Sequence, residues 1–561
     1  MMAAIARQKK RIEDLKQRVI RMMKKVKSID EVMKDVKSKF SLSENGGEML
    51  TVTGSAITKD IFSKIHKQKK TGHFLRKKYT SALRQFALTL NFYSYKPYKY
   101  VRNTFDLALP HPTVIQSWYR SIEGEPGFTN ESFDLLRKHT ATSSQPTICS
   151  LTIDEMSIRK HVEWDGKQFR GYVDIGTGVQ DNTVPPATEA RVFMVVAVNS
   201  NWKLPVAYFL LDGMNGKDKD NLLQQCLSRL DEAGIIITSV TCDGASSNMA
   251  MFRELGASTD HDNLKVSFDH NQHKVYIILD VCHMLKLLRN TFASQTMVDG
   301  DGHPIKWTYI EELHKLQEAE GLRAANKLKT AHIEWSRQKM KVNLAAQVIS
   351  SSVANALEFC QRLNLPQFKG CEATVKFLKI FDRLFNILNS RNPLAKNFKA
   401  PMTPGNKHFW HAFLYNTDKY IRNLKNTNGT SMTQTTKKTA FIGFLIAIKS
   451  ITTIFHTSAQ PPSMRYLLTY KLSQDHLELF FGCIRCHLGC NNNPTCQQFV
   501  AAYKRLLVQN EIKASGNTNC VNLQHVSILA VKSSSIKHLT DSSGTQVTIC
   551  QTVQQNIYSI L

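Results

Sequence analysis

The spacing of hydrophobic positions changes several times along this chain, and each change predicts a different kind of element. Ile5, Ile12, Val19, Val26 and Met33 recur every seven residues, and Leu15, Met22, Ile29 and Val36 occupy the second apolar position of the same heptads. With one polar lapse at Gln8, the pattern predicts a coiled coil over 1–40 and hence self-association, as dimer or tetramer; an amphipathic helix folded against its own chain is the plain alternative. Ser41 to Gly54, with Gly46 and Gly47, reads as a linker. From Tyr79 onward Leu83, Phe86, Ala87 and Leu90 have the spacing of one helix face. A turn at Lys96-Pro97, a second short helix holding Val101 and Phe105, and a third starting near Thr113 that buries Ile115 and Trp118 complete a helix-turn-helix pattern over 50–122. A generic helical linker domain would give the same spacing.

Strand periodicity then takes over. Ile148 to Asp154, Phe169 to Ile175, Val192 to Val198 and Pro205 to Leu211 read as strands, followed by a helix over Asp218 to Ala233 that Gly234 stops. Ile235 to Asp243 is an apolar strand, Ala245 to Leu255 a helix, and Val275 to Asp280 a last strand. This mixture predicts an α/β sheet domain over 145–289. From 290 to 465 the strands give way to helical spacing, as in Phe377, Ile380, Phe381, Leu384, Phe385 and Leu388. A long helical pattern returns over 466–510, and 511–561 is a polar, Ser/Thr-rich tail of no clear class.

Charge narrows the partner. The 561 residues hold 73 Lys and Arg against 46 Asp and Glu, a net charge of +27. Residues 1 to 122 alone hold 26 basic and 9 acidic side chains. A polyanion is the expected ligand, with the N-terminal fifth as its footprint. Ala440 to Ile448, the longest apolar run, breaks at Lys449 and is too short for a bilayer, so no membrane helix is expected. The first 30 residues are basic and lack an apolar segment, which excludes a secretory signal and places the twelve cysteines in a reducing compartment as free thiols. Clusters at Arg7 to Arg11, Lys67 to Lys70 and Arg76 to Lys78 suit nuclear import, although a solvated basic face reads the same way.

Candidate chemistry lies at strand ends. Asp154 and Asp243 close two predicted strands, where open α/β sheets bind ligands, and Glu478 on a later helix supplies a third carboxylate. Three carboxylates suit two Mg²⁺ ions about 3.5 to 4 Å apart, one activating water or a 3′-hydroxyl and the other stabilising the leaving oxyanion. Each Asp alone reads as a turn or a helix cap; the conjunction is what points to a site.

Four segments carry a family resemblance: Ile153-Asp154-Glu155-Met156-Ser157-Ile158-Arg159, Cys242-Asp243-Gly244-Ala245-Ser246-Ser247-Asn248, Cys282-His283-Met284-Leu285-Lys286-Leu287-Leu288-Arg289-Asn290, and Tyr470 to Glu478. With Leu109-Pro110-His111-Pro112 and Asn491-Asn492-Asn493-Pro494-Thr495, they resemble the P element transposase family, which includes the THAP-domain transposase-like proteins of vertebrates. The resemblance covers roughly residues 5 to 510. It implies an α/β plus α protein: an RNase H-like catalytic domain interrupted by a large helical nucleotide-binding insertion and preceded by a coiled coil and a helix-turn-helix domain. It further implies a DNA transposase, nuclear, that binds transposon ends and target DNA as a homo-oligomer. Asp154, Asp243 and Glu478 match its metal-binding triad. Lys327, Val342, Ser350, Phe385, Asn386, Asn389 and Asp475 match its contacts to GTP, and Lys77, Lys78, Arg84, Lys99 and Arg102 fall where its helix-turn-helix meets DNA.

Two departures qualify these expectations. No zinc-binding THAP cysteine pattern precedes the heptads, which puts sequence-specific end recognition in question. In the insertion, Phe385-Asn386-Ile387-Leu388-Asn389 stands where the family has Phe-Asp-x-x-Asn. A carboxylate accepts from both guanine N–H groups, whereas an amide offers one acceptor oxygen, so weaker guanine selectivity is expected. No Gly-x(4)-Gly-Lys-Ser/Thr phosphate loop is present; nucleotide binding is implied by the resemblance alone. Cys483-Ile484-Arg485-Cys486-His487 with Cys490 and Cys496 mimics a haem or zinc motif but reads as thiols along a helix, and Asp299-Gly300-Asp301-Gly302 reads as a turn. His270, His273 and His283 read as structural. A non-catalytic nuclear DNA-binding protein that keeps the fold is the rival function.

Overall fold

The computed structural model describes residues 60–61, 64–65, 79–93, 95–120, 123–166, 168–176, 184–321, 324–457, 464–487, 491–508 and 527–528. The heptads of 1–40, Lys77, Lys78 and most of the tail lie outside the described residues.

Three helices, α1 (Ser81–Tyr93), α2 (Tyr95–Thr104) and α3 (Pro112–Arg120), form the N-terminal module. Leu83, Phe86, Leu90, Val101, Phe105 and Ile115 are buried in it. The expected turn at Lys96-Pro97 falls elsewhere, because α1 ends at Tyr93 and Pro97 sits in the first turn of α2. There its missing N–H has no intrahelical partner to lose.

The sheet begins upstream of the predicted strands, with β1 (Gly127–Phe128) and α4 (Asn130–Thr142), and continues through β2 (Thr147–Ser157). A small hairpin follows, β3 (Glu163–Trp164) with β4 (Phe169–Arg170). The strand expected over Phe169 to Ile175 is therefore only this short β4, followed by isolated bridges at Tyr172 and Asp174. Next come β5 (Glu189–Ala197), β6 (Trp202–Leu211), α5 (Gly216–Glu232), β7 (Ile235–Cys242), α6 (Ser246–Glu254), β8 (Ser267–His270) and β9 (His273–Leu279). The strand order is β1-β6-β5-β2-β7-β9-β8. The pairs β6/β5 and β5/β2 are antiparallel, whereas β2/β7 and β7/β9 are parallel. Nearly every residue of β2, β5 and β6 is buried, so these strands are covered on both faces; β5 and β6 read as near-continuous apolar runs, whereas β2 alternates and buries Ser150, Thr152 and Asp154 as well.

The chain leaves the sheet through α7 (Val281–Ser294) into the insertion. This holds β10 (Met297–Val298), β11 (Pro304–Ile305), α8 (Thr308–Glu320), α9 (Thr330–Ile333), α10 (Val342–Val348), α11 (Ser351–Arg362), α12 (Glu372–Leu388), α13 (Lys407–Asn423), β12 (Lys425–Asn426) and α14 (Thr439–Thr457). Strands do not vanish entirely here: β11, β10 and β12 form a three-stranded patch of two-residue strands, too short to show a period. Among the described residues, α14 is the one helix long and apolar enough to cross a membrane, and 72% of its apolar window is buried inside the protein. It lies against α7 and β9, with Ser450 Oγ donating to the Ile277 carbonyl at 2.6 Å. The approach is so close that a Cβ on Gly443 would stand 2.2 Å from Met284 Sδ.

The chain then returns to the sheet. Thr241 Oγ1 donates to the Leu472 carbonyl at 2.8 Å, and Lys471 Nζ donates to the carbonyls of Val198 and Ser200 at 3.1 and 2.7 Å. The long helical pattern of 466–510 divides into α15 (Asp475–His487) and α16 (Cys496–Val508), broken around Asn491 to Thr495 where Asn-Pro disfavours helix. Cys483 and Cys496 are buried and Cys486 is partly buried; Cys490 lies outside the described residues. Asp299 closes its turn by accepting from the backbone of Asp301 and His303 at 3.0 and 2.8 Å.

Candidate active site and adjoining cavity

Sheet register brings two of the three acidic residues together. Thr152 on β2 pairs in parallel with Thr241 on β7, so Asp154 and Asp243 both stand two residues beyond that pair, at the same carboxyl end. Asp154 is 9% exposed, and its Oδ1 accepts from the backbone of Glu155 at 2.9 Å. Asp243 leads into α6, and its Oδ1 accepts from the backbone of Ala245 at 3.0 Å and from Asn248 Nδ2 at 2.6 Å. Glu478 arrives from the first turn of α15, which packs on β2 and β5. Burial pushes the Asp154 carboxyl well above the usual carboxylate range; Glu478, Glu155 and Asp243 push the same way, against an opposing pull from His283. That mutual repulsion puts Glu478 and Asp243 within electrostatic reach of Asp154. Asp154, Asp243 and Glu478 are not among the groups of described residues whose ligand atoms all lie within 4.8 Å of one another, but as three hard-oxygen carboxylates they are the donor type that suits a divalent cation.

Glu478 also lines a cavity of about 420 Å³. Five of the residues matched to nucleotide contacts, Val342, Phe385, Asn386, Asn389 and Asp475, line it. Lys327 and Ser350 do not: Lys327 lies in an exposed turn before α9, and Ser350 is the N-cap of α11, its Oγ 3.3 Å from the backbone N–H of Val353. Asn386 Nδ2 donates to Asp382 Oδ1 at 3.3 Å, which leaves the amide oxygen as acceptor. Two further acceptors, Asn389 Oδ1 and Gln474 Oε1, are buried with no hydrogen-bond partner among the described residues. Unpaired buried acceptors cost free energy, and a ligand edge rich in N–H groups would satisfy them.

The cavity contains groups that sequence reasoning missed. Arg391 forms an ion pair with Asp475. Asp280 Oδ2 accepts from the His283 backbone, and the ring Nδ1 of His283 lies 2.9 Å from the same oxygen. Burial would lower the His283 pKa, but the hydrogen bond and charge of Asp280 outweigh it and the shift is upward. His283 is thus structural in its tether and also part of the cavity wall; its place in the segment Cys282 to Asn290 was the available signal. Gln474, whose backbone donates to Asp280 Oδ1 at 2.9 Å, lies beside it.

In the N-terminal module Lys99 is exposed, whereas Arg84 and Arg102 are engaged inside it. The Arg84 guanidinium lies 4.6 Å from the Trp118 ring centroid, and Arg102 Nε donates to the Leu109 carbonyl at 3.2 Å.

Fold and site define an RNase H-like domain, split by a helical insertion and preceded by a helix-turn-helix. The matched family descriptions run in the same order: P transposase-like helix-turn-helix domain, 35–118; TNP-like RNase H N-terminal domain, 124–256; TNP-like GTP-binding insertion domain, 282–401; and TNP-like RNase H C-terminal domain, 470–504. Human DNA transposase THAP9 is 31% identical over 482 residues, 84% of this chain and 53% of the relative. The transposable element P transposase of Drosophila melanogaster is 24% identical over 422 residues, 74% of this chain and 51% of the relative. The chain thus spans about half the length of the curated relatives it matches. Among solved structures, the Drosophila P element transposase strand transfer complex superposes with a TM-score of 0.66 at 22% identity, covering 80% of this chain and 96% of that one, which shows the shared fold. This chain belongs to the P element transposase family.

Proposed function

We propose that the chain is a DNA transposase that cleaves DNA at the ends of a mobile element and joins the freed 3′-hydroxyl to target DNA. The observation that carries the reading is the parallel β2/β7 register, which sets Asp154 and Asp243 side by side, and Glu478, on a helix beyond the insertion that packs on β2, would complete the set. Asp154, Asp243 and Glu478 would hold two Mg²⁺ ions. When bound, such ions supply Lewis acidity for the attacking oxygen and charge stabilisation for the departing one. The chain's own contribution is placement: Ala245 and Asn248 hold one oxygen of Asp243, and Gln474 and Asp280 hold the start of α15 from which Glu478 projects.

GTP in the adjoining cavity fits the reading, with the oxygens of Asn386, Asn389 and Gln474 meeting the N–H edge of the base. Lys99 would meet DNA phosphate, and residues 1–40 would join chains into a homo-oligomer in the nucleus. The experiment is Mg²⁺- or Mn²⁺-dependent nicking and strand transfer on DNA bearing the element's terminal repeats. Asp154→Asn, Asp243→Asn and Glu478→Gln should each abolish both steps while retaining DNA binding. Wild-type protein that binds this DNA yet leaves it uncut would establish the rival reading, a non-catalytic DNA-binding protein.

A further inference from the structure

We infer that Asn248 is a positioning residue for Asp243, and that Arg191 and Lys219 fix its orientation from behind. The inference rests on Asp243 being a metal ligand. Asn248 is 2% exposed in the first turn of α6, and its Nδ2 stands 2.6 Å from Asp243 Oδ1. The backbone of Ala245 donates to the same oxygen at 3.0 Å, so one carboxylate oxygen is held twice over. No hydrogen bond from a described residue reaches Oδ2, which is left for a cation.

Shape alone does not decide which way an amide faces; here the neighbours do. Asn248 Oδ1 receives Lys219 Nζ at 3.1 Å and Arg191 Nη2 at 3.3 Å, both groups that only donate. Turning the amide over would set its NH₂ against two cations and its oxygen against a carboxylate. The cations are held in turn. Glu155 pairs with Arg191, its cross-strand neighbour in the β2/β5 register, and lies 3.4 Å from Lys219 Nζ, which also donates to Ser247 Oγ at 2.8 Å. Two cations and two carboxylates thus balance around one neutral amide, which spares the interior an uncompensated charge. Arg191 has a fully buried side chain whose Nε and Nη1 lack hydrogen-bond partners among the described residues, a costly residue for this position and one that argues for orientation over stability alone. Glu155, although adjacent to Asp154, is committed to this network rather than to the metal donors.

The test is Mn²⁺ binding to the metal-free full chain, followed by electron paramagnetic resonance of the unbound ion, with DNA binding and circular dichroism alongside. Asn248→Ala should weaken Mn²⁺ binding about ten- to a hundredfold, the usual effect of losing a group that orients a ligand, without changing DNA binding. Lys219→Met should weaken it in the same direction, and adding it to Asn248→Ala should change little more, because it acts through Asn248. Lys219→Met alone carries the test if Asn248→Ala fails to fold. Wild-type Mn²⁺ affinity in these variants, with affinity lost in Asp243→Asn, overturns the inference and leaves the site intact. Wild-type affinity in Asp243→Asn overturns the metal site itself.

Discussion

The side-chain amide of Gln474 donates to the carbonyl of Ile153 at 2.7 Å, tying the segment that leads into Glu478 to the strand residue just before Asp154. This bond joins two halves of one site across a sequence separation of 321 and stands where the chain re-enters the sheet. Gln474→Ala would strand a buried carbonyl and should cost about 1–3 kcal/mol of unfolding free energy. Urea denaturation of the full chain checks the cost. Strand transfer should fall with it, whereas DNA binding, proposed for the N-terminal module, should not.

Asn386 and Asp382 set the second expectation. With the Asn386 donor turned to Asp382, a single amide oxygen is left for the base; Asn386→Asp replaces that donor by an oxygen which Asp382 repels, so the carboxylate should turn away and offer both oxygens to guanine. Affinity for a fluorescent GTP analogue should rise about tenfold relative to the ATP analogue, the equivalent of about 1.4 kcal/mol. An unchanged ratio would show that residue 386 does not read the base.

Lys99 and Arg84 should behave differently although both are basic residues of the same module. Lys99 is exposed, and Lys99→Ala should weaken DNA binding uniformly across sequences and lower the salt slope by about one. Arg84 lies over Trp118 and is partly desolvated, so Arg84→Ala should lower the melting temperature. Binding measured over a salt series, beside thermal melts, separates the two.

Lys471 gives a pH dependence. Burial lowers its pKa from 10.5 to about 8, against a small opposing pull from Cys149. Between these values the folded chain holds fewer protons at this site than the unfolded chain, so the contribution of Lys471 to stability rises with pH across that window. Lys471→Met should flatten this rise, and unfolding free energies at intervals from pH 7.5 to pH 10, wild type against variant, would show it. Parallel curves would place the titration elsewhere.

Asp243 was legible because a strand followed by Asp, a turn and a helix is a local pattern; Asp154 was expected to close its strand but lies inside β2, which runs on to Ser157, and Glu478 stands in the first turn of a helix. Side-by-side placement of Asp154 and Asp243 was not legible, since it depends on the parallel β2/β7 register, a pairing of distant segments. The cavity was partly legible: Val342, Phe385, Asn386, Asn389 and Asp475 meet there, whereas Lys327 and Ser350 sit apart because their segments form an exposed turn and a helix cap. Arg391 carried no local signal, because its role is an ion pair with Asp475, and Gln474 stood out only as a member of the segment Tyr470 to Glu478, because its bond to Ile153 exists only in the tertiary structure.

By itself the amino-acid sequence determined the order of elements, the strongly basic N-terminal end and the three acidic positions, all consequences of short-range periodicity and composition. Only tertiary structure decided that Glu478 shares a wall with the nucleotide-type cavity, that Arg84 is spent on Trp118, and that Asn248 faces Asp243 with its nitrogen. The physical reason is the same each time. Hydrogen bonds and buried charges are settled by which distant groups arrive within about 3 Å of each other, and that follows from packing and register rather than from neighbours in the chain.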